Sequence, residues 1–129
     1  MSIGTWSSFF TPYNEAEVRR VVPTGGGVYA LRVKNKSGKW DCFYVGKADN
    51  LESRLLGHLR NEEPNDCIKG NVKSPCGFHW LNITTESERS GAEKYLYDTI
   101  KPDCSRKDPG GKPLTIPLPP TPPAAAPAN

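Results

Sequence analysis

The sequence predicts an α+β fold in which helices flank a small, central, three-stranded antiparallel sheet. Two observations support this class. Three segments rich in β-branched and aromatic residues have strand composition, at residues 28–33, 42–45 and 78–83. Two others, 51–59 and 92–99, place apolar residues at helical spacing. With one more short helix near the N-terminus, the expected order of elements is helix, β, β, α, β, α.

Residues 1–24 are predicted to form an N-terminal extension that carries this short helix. Asn14 is a good helix cap, and a helix starting there is expected to continue through Arg20. The run Pro-Thr-Gly-Gly-Gly at 23–27 then breaks it. Residues 1–13 are aromatic but irregular, and no element is predicted within them.

The first two predicted strands are expected to form a hairpin. The sequence Asn-Lys-Ser-Gly at 35–38 suits a four-residue loop between them. If the loop closes symmetrically, Lys34 faces Lys39 and Tyr29 lies opposite Tyr44. Directly opposed residues share a sheet face, so the two phenols would project from one surface. A bulge would shift this register by one residue.

The two later helices are predicted from caps and spacing. Asp49 or Asn50 caps the first, and Arg54 and His58 lie side by side at the margin of its apolar stripe. A polar loop is expected at 61–77.

The last helix begins at a capping box formed by Thr85 and Glu88. It stops near Ile100, just before Pro102, and Glu93 lies beside its apolar face.

Composition limits the remaining possibilities. The net charge of +3 and the pI of about 8.7 permit a polyanionic partner. No apolar run is long enough to span a bilayer and no signal peptide is visible, so we expect a soluble, cytoplasmic protein without a membrane partner. The Pro- and Ala-rich tail at 107–129 is expected to be flexible and outside the core.

The four cysteines show no Cys-x-x-Cys pair. Without a secretory context, reduced thiols are the prediction. A zinc site is the less favoured alternative, with these residues as its ligands: Cys67, Cys76, His79 and Cys104.

Several residues suit the hydrolysis of a phosphodiester. Arg54 offers phosphate a bidentate fork, and Lys47 offers a compact positive charge. A tyrosine can deprotonate water if a nearby cation lowers its pKa, whereas the imidazole of His58 already titrates near neutral pH. Tyr29 and His58 therefore both qualify as the base.

Two motifs resemble those of the GIY-YIG nuclease family: Gly27-Val28-Tyr29 and Tyr44-Val45-Gly46. The run FYVGKADNLESRLLGHL at 43–59 is also similar to the N-terminal catalytic domain of the bacterial excision-repair nuclease. The resemblance covers residues 25–106, which we interpret as the nuclease domain.

The resemblance implies a role for each site residue. Glu93 would be the single ligand of Mg²⁺ or Mn²⁺, and Arg54 would bind the phosphate. Tyr29 would activate water, assisted at the phosphate by Tyr44 and Lys47. Some restriction-type relatives also carry a histidine at the position of His58.

Two further residues are expected at the substrate, Gly46 and Ser105. The family usually ends in a Pro-x-x-Asn element, and here Pro102 is followed by Ser105 where the asparagine is expected. This departure bears on how active the site is.

The predicted function is thus a metal-dependent DNA endonuclease of repair or restriction, working in the cytoplasm and at the nucleoid or nucleus. RNA is an alternative substrate. The other alternative is an inactive nucleic-acid-binding or adaptor module whose Pro-rich tail recruits a protein partner. Target choice would come from the 61–77 loop, DNA structure, a partner or homodimerisation.

A basic run follows the last helix. It would either grip the DNA backbone or form a solvated linker. Its members are Lys101, Arg106, Lys107 and Lys112.

Overall fold

The computed structural model of the chain describes residues 3–105 and 107–123. Within them an antiparallel sheet is flanked by helices, which confirms the predicted α+β class. The strands are β1 (Ile3–Trp6), β2 (Gly27–Lys34), β3 (Trp40–Ala48) and β4 (Cys76–Ile83). The helices are α1 (Glu15–Val21), α2 (Leu51–Gly57), α3 (Asp66–Asn71) and α4 (Glu86–Ile100).

The sheet has one strand more than predicted. Its four described strands run in the order β1-β4-β2-β3, and β1 pairs with β4 through Ile3 and Ile83. No strand was predicted within residues 1–13. A four-residue edge strand is too short to show an alternating pattern of apolar and polar residues in the sequence.

The β2–β3 hairpin differs from the predicted register. The loop closes with Lys34 opposite Trp40, and a bulge follows between Leu31 and Arg32. Tyr29 therefore lies opposite Gly46, and the expected pairing of Tyr29 with Tyr44 is wrong. The two phenols nevertheless share a face, since their offset along the strands is an even number of residues.

Side-chain caps fix three of the four described helix starts, whereas Thr85 makes no side-chain capping bond to α4 and its hydroxyl donates to Oε1 of Glu88. Asn14 caps α1, and Asn50 accepts a hydrogen bond from the Ser53 amide at the start of α2. The 61–77 segment is not all loop, because Asn65 caps the short helix α3. Six residues are too few to reveal helical periodicity in the sequence.

The sheet separates two apolar cores. On one face, residues of β2 and β3 pack against α1, α2 and α3, and Tyr29 belongs to this group. On the other face, β2 and β4 pack against Ala92 and Leu96 of α4.

The predicted exclusion of the Pro-rich tail from the core is wrong. Ile116 is 4 % exposed and belongs to the α4-side core. The tail is held by its backbone: the Leu114 amide donates to Gly91, and Pro117 accepts from the Trp6 indole. Within the described part of the tail, Ile116 and Pro119 are the buried residues. Residues 124–129 of the predicted flexible tail lie outside the described residues.

The reduced-thiol prediction is wrong for two cysteines. Cys67 in α3 and Cys104 form a disulfide, although 37 residues separate them in sequence. Cys42 and Cys76 are free. Over residues 3–105 and 107–123 there is no cluster of three or more potential metal ligands, so the zinc alternative is not supported. No helix of the same ranges is long and apolar enough to cross a membrane.

Candidate active site

The two motif tyrosines meet two side chains of α2. Tyr29 projects from β2 and Tyr44 from β3, with ring centroids 6.1 Å apart. The ring of His58, the C-cap of α2, lies 5.2 Å from that of Tyr44 and edge-on to it. Arg54, one turn earlier, reaches both phenols. Four residues expected at the site are thus brought together.

Tyr29 is completely buried, and its hydroxyl lies 2.6 Å from Nε2 of His58. Gly46 faces it across the hairpin. A Cβ at Gly46 would approach the Tyr29 hydroxyl to 2.4 Å, so the absence of a side chain there makes room for the phenol. The need for a glycine at position 46 is therefore explained by its contact with Tyr29.

The other ring nitrogen of His58 meets a residue that the sequence did not single out. Nδ1 lies 3.0 Å from Oε2 of Glu63, and the other carboxylate oxygen accepts from the Asn65 amide. A carboxylate only accepts, so Nδ1 carries the proton and Nε2 of a neutral imidazole accepts from Tyr29. Burial lowers the pKa of His58, whereas the Glu63 carboxylate opposes that decrease.

Burial dominates the electrostatics of the phenols. It raises the pKa of Tyr29 well above the usual value and also raises the pKa of Tyr44, although the Arg54 guanidinium opposes both increases. Both phenols are therefore protonated at neutral pH. Tyr44 is only partly buried and remains open to the site.

Glu93 of α4 lines a cavity of about 170 Å³. Tyr44, Asn65, Ser105 and Lys107 contribute to its walls. Burial raises the pKa of Glu93, and the positive charges of Lys47 and Arg54 lower it in part.

This position fits a hard divalent cation. Among the described residues, Glu93 forms no salt bridge, and its carboxylate oxygens are the ligand type that Mg²⁺ prefers. Magnesium also retains several waters when few carboxylates bind it, and the cavity beside Glu93 offers space for them.

Lys47 is close to the site, but its ammonium is engaged. Nζ lies 2.6 Å from Oε1 of Glu86 and 2.8 Å from Oγ of Ser90. The bond from Lys47 lowers the pKa of Glu86 to about 2. A groove of about 520 Å³ runs past this pair to Arg54.

Ser105 attaches the chain after α4 to strand β3. Its hydroxyl accepts from the Val45 amide at 3.2 Å and lies 3.5 Å from the Val45 carbonyl. An asparagine does line the cavity, but it is Asn65, whose side-chain amide donates to the Cys104 carbonyl. Serine thus holds this segment against the strand that carries Tyr44.

The basic run is only partly described. Lys107 lines the cavity beside Glu93. Lys101 follows α4 in a left-handed conformation, and Lys112 is exposed. Arg106 lies outside the described residues.

The antiparallel sheet in the order β1-β4-β2-β3, with helices on both faces, has the α+β architecture of a GIY-YIG domain. Comparison with solved structures confirms this. Two crystal structures of the GIY-YIG N-terminal endonuclease domain of UvrC from Thermotoga maritima match with TM-scores of 0.53 and 0.52. Each match covers 70 % of this chain and 97 % of that domain, at 23 % and 22 % identity. Both are point mutants described as bound to the catalytic divalent cation.

Two curated sequences are also similar to this chain. The chain is 29 % identical over 96 residues to UvrABC system protein C of Aquifex aeolicus, and 32 % identical over 84 residues to that of Acidobacterium capsulatum. These matches cover 73 % and 64 % of this chain, but it spans only 16 % and 12 % of the relatives. No protein-family model matches the chain. The chain therefore has the GIY-YIG fold and resembles the UvrC endonuclease domain.

Proposed function

We propose that this chain is a divalent-metal-dependent endonuclease that hydrolyses DNA phosphodiester bonds. The observation that supports it best is the convergence of Tyr29, Tyr44, Arg54 and His58, with Glu93 lining the cavity beside Tyr44. These residues come from four separate elements, and packing alone does not require such a collection of polar groups. The cation bound to the related UvrC domains supports the metal requirement.

Each group has a task in this proposal. Glu93 would hold a Mg²⁺ or Mn²⁺ ion, which would supply positive charge at a phosphoryl oxygen. Arg54 binds the phosphate through its guanidinium fork, and Tyr44 hydrogen-bonds to it from the open side of the cavity. Lys47 adds positive charge once it exchanges Glu86 for the phosphate. Both Glu86 and Lys47 are solvent-accessible, so breaking their salt bridge costs little free energy.

The two candidate bases act as one unit in this proposal. His58 is 1 % exposed and cannot meet the attacking water itself, but it accepts a hydrogen bond from Tyr29. Tyr29 is also closed to solvent in the free protein, with Arg54 within reach of its oxygen. When Arg54 turns to a bound phosphate, the phenol oxygen becomes available to water.

The adaptor alternative receives less support. Residues 114–119 are bound to the protein's own surface through backbone hydrogen bonds and the burial of Ile116. While packed in this way they cannot enter the aromatic groove of a partner.

The proposal also includes DNA as the substrate, a location at the nucleoid or nucleus, and target choice through self-association.

The test is a cleavage assay with the full chain. Supercoiled plasmid, branched DNA and single strands are incubated with Mg²⁺ or Mn²⁺, next to RNA of the same sequence. Replacing Glu93 by alanine should reduce cleavage more than about 10³-fold while DNA affinity, measured by fluorescence anisotropy, stays within a few-fold.

Asp98→Ala on the same helix is the matched control. Asp98 is exposed, and its partner Lys94 keeps a second carboxylate in Asp108. Wild-type protein that leaves every DNA intact with both metals would refute the proposed function, and cleavage of RNA alone would replace its substrate.

A further inference from the structure

We propose that Glu63 is a positioning residue of this nuclease, orienting His58 so that the imidazole receives the Tyr29 proton when Tyr29 takes one from water. The inference rests on the proposed function and adds to it a residue outside both motifs. It comes from a linear chain of hydrogen-bonded groups in which Glu63, His58 and Tyr29 follow one another.

The geometry of this chain is specific. Tyr29 Oη to His58 Nε2 is 2.6 Å, and His58 Nδ1 to Glu63 Oε2 is 3.0 Å. The side chains of His58 and Glu63 are only 1 % and 8 % exposed. A buried carboxylate in contact with a buried imidazole fixes both the ring orientation and the tautomer.

Glu63 is itself held in place. Its backbone amide donates to Arg60, and its second carboxylate oxygen accepts from the Asn65 amide. Asn65 in turn caps α3 and donates to the Cys104 carbonyl. The turn after α2 is thus anchored to the wall of the cavity that contains Glu93.

The tautomer decides which way a proton can move. With Nδ1–H directed to Glu63, the free lone pair of Nε2 faces the Tyr29 hydroxyl. In the other tautomer, an N–H would face that hydroxyl, and the phenol proton would have no acceptor on the ring. Without the carboxylate, the buried ring has no strong preference for the productive form.

One O–H bond of the water breaks and its proton goes to the Tyr29 oxygen, while the phenol's own proton goes to Nε2. The hydroxide forms a bond to phosphorus, and the bond from phosphorus to the leaving oxygen breaks. The leaving oxygen takes a proton from solvent, and the imidazolium, stabilised until then by Glu63, releases one to solvent.

Charges from every neighbouring element act on His58. Glu63, from the turn after α2, stabilises the imidazolium, and Arg54, from α2 itself, destabilises it. Tyr29 and Tyr44 face the ring from β2 and β3. Tyr13, from the segment before α1, donates to the Leu55 carbonyl and not to the ring. The carboxylate is therefore the one described group that favours proton uptake by His58.

Glu63→Gln tests the role with almost no change in shape, and Glu62→Gln, at the exposed neighbouring position, is the matched control. Single-turnover cleavage is measured from pH 6 to 10, with DNA affinity and the urea midpoint for each variant. We expect Glu63→Gln to be about 10²–10³-fold slower near pH 7.5 with unchanged affinity. Its rate should still rise at pH 9–10, where the wild type has levelled off, because direct ionisation of Tyr29 then replaces transfer to His58.

A second measurement does not depend on activity. ¹⁵N chemical shifts of His58 in the full chain report the tautomer, which should be Nδ1–H in the wild type and in Glu62→Gln. A wild-type Nε2–H tautomer overturns the inference. So does a Glu63→Gln variant that cleaves like Glu62→Gln, or one that is slower by the same factor at every pH. A wild type that cleaves nothing refutes the proposed function itself, which is a separate result.

Discussion

The two histidines of the chain are equally buried but have partners of opposite character. Each is 1 % exposed. His58 lies between the Tyr29 hydroxyl and the Glu63 carboxylate, on the α2 side of the sheet. His79 lies on the other side, where Nε2 accepts from Nε of Arg32 at 3.2 Å and the rings of Trp6 and Phe9 pack against the imidazole.

These partners act on the pKa values of the two rings in different ways. Burial and the Arg32 guanidinium both lower the pKa of His79, to about 3, so this ring is a permanent neutral acceptor. Burial also lowers the pKa of His58, but Glu63 acts in the opposite direction. An imidazole that is hydrogen-bonded to a carboxylate takes up a proton more readily than one that accepts a hydrogen bond from a guanidinium.

The largest expected effect is a difference in DNA cleavage between variants of the two histidines. His58→Gln should lower the rate of DNA cleavage about 10²–10³-fold, because it removes the proton acceptor of Tyr29. His79→Gln should stay within about two-fold, since the amide oxygen still accepts from Arg32. Single-turnover rates at saturating protein measure both. Equal losses in the two variants would remove the functional distinction between the histidines.

The tail covers the face of the sheet on which His79 lies. The Pro119 carbonyl accepts a hydrogen bond from Arg32, and Ile116 fills the α4-side core. Ile116→Ala should lower the free energy of unfolding by about 3 kcal/mol, within the range for a buried isoleucine. Urea denaturation measures the change.

Leu118→Ala is the matched control for the tail, because Leu118 is 46 % exposed. It should cost well under 1 kcal/mol. If both variants were equally stable, the tail would not contribute to the core, and the original expectation of a flexible tail would be restored.

Local patterns predicted most of the fold, and distant pairings were missed. Caps and periodicity located α1, α2 and α4 because these features lie within a few neighbouring residues. The edge strand β1 and the packed tail depend on partners far along the chain, such as Pro117 with Trp6. Neither carries a periodic pattern long enough to recognise.

The same limit applies to the site. The motif residues Tyr29 and Tyr44 were predicted to share a face, and they do, although the loop and the bulge moved the register by two residues. Glu63 was missed because it lies in a turn, five residues after His58, where no helix or strand register connects the two. A buried carboxylate in a polar loop is visible only after folding.

The smallest expected effect is on the pH dependence of stability. A histidine buried in its neutral form has a folded pKa below the ordinary value of 6.5, so the unfolded chain binds more protons as pH falls. The contribution of the neutral ring to the free energy of unfolding is fully present above pH 6.5. As pH falls, this contribution declines by up to about 1.4 kcal/mol per pH unit until the folded pKa is reached. For His79 this window extends from about 6.5 down to about 3.

Between pH 7 and pH 5, His79→Gln should therefore lose about 2 kcal/mol less stability than the wild type in urea denaturation. His58→Gln should lose more than His79→Gln, because Glu63 opposes the decrease in the pKa of His58, whereas Arg32 adds to the decrease in the pKa of His79. Carboxylates that contact neither ring contribute equally to all three proteins, so they cancel in the comparison. The reverse order would mean that Arg32 leaves His79 free to ionise and that Glu63 does not support a charge on His58, which would contradict the comparison at both rings.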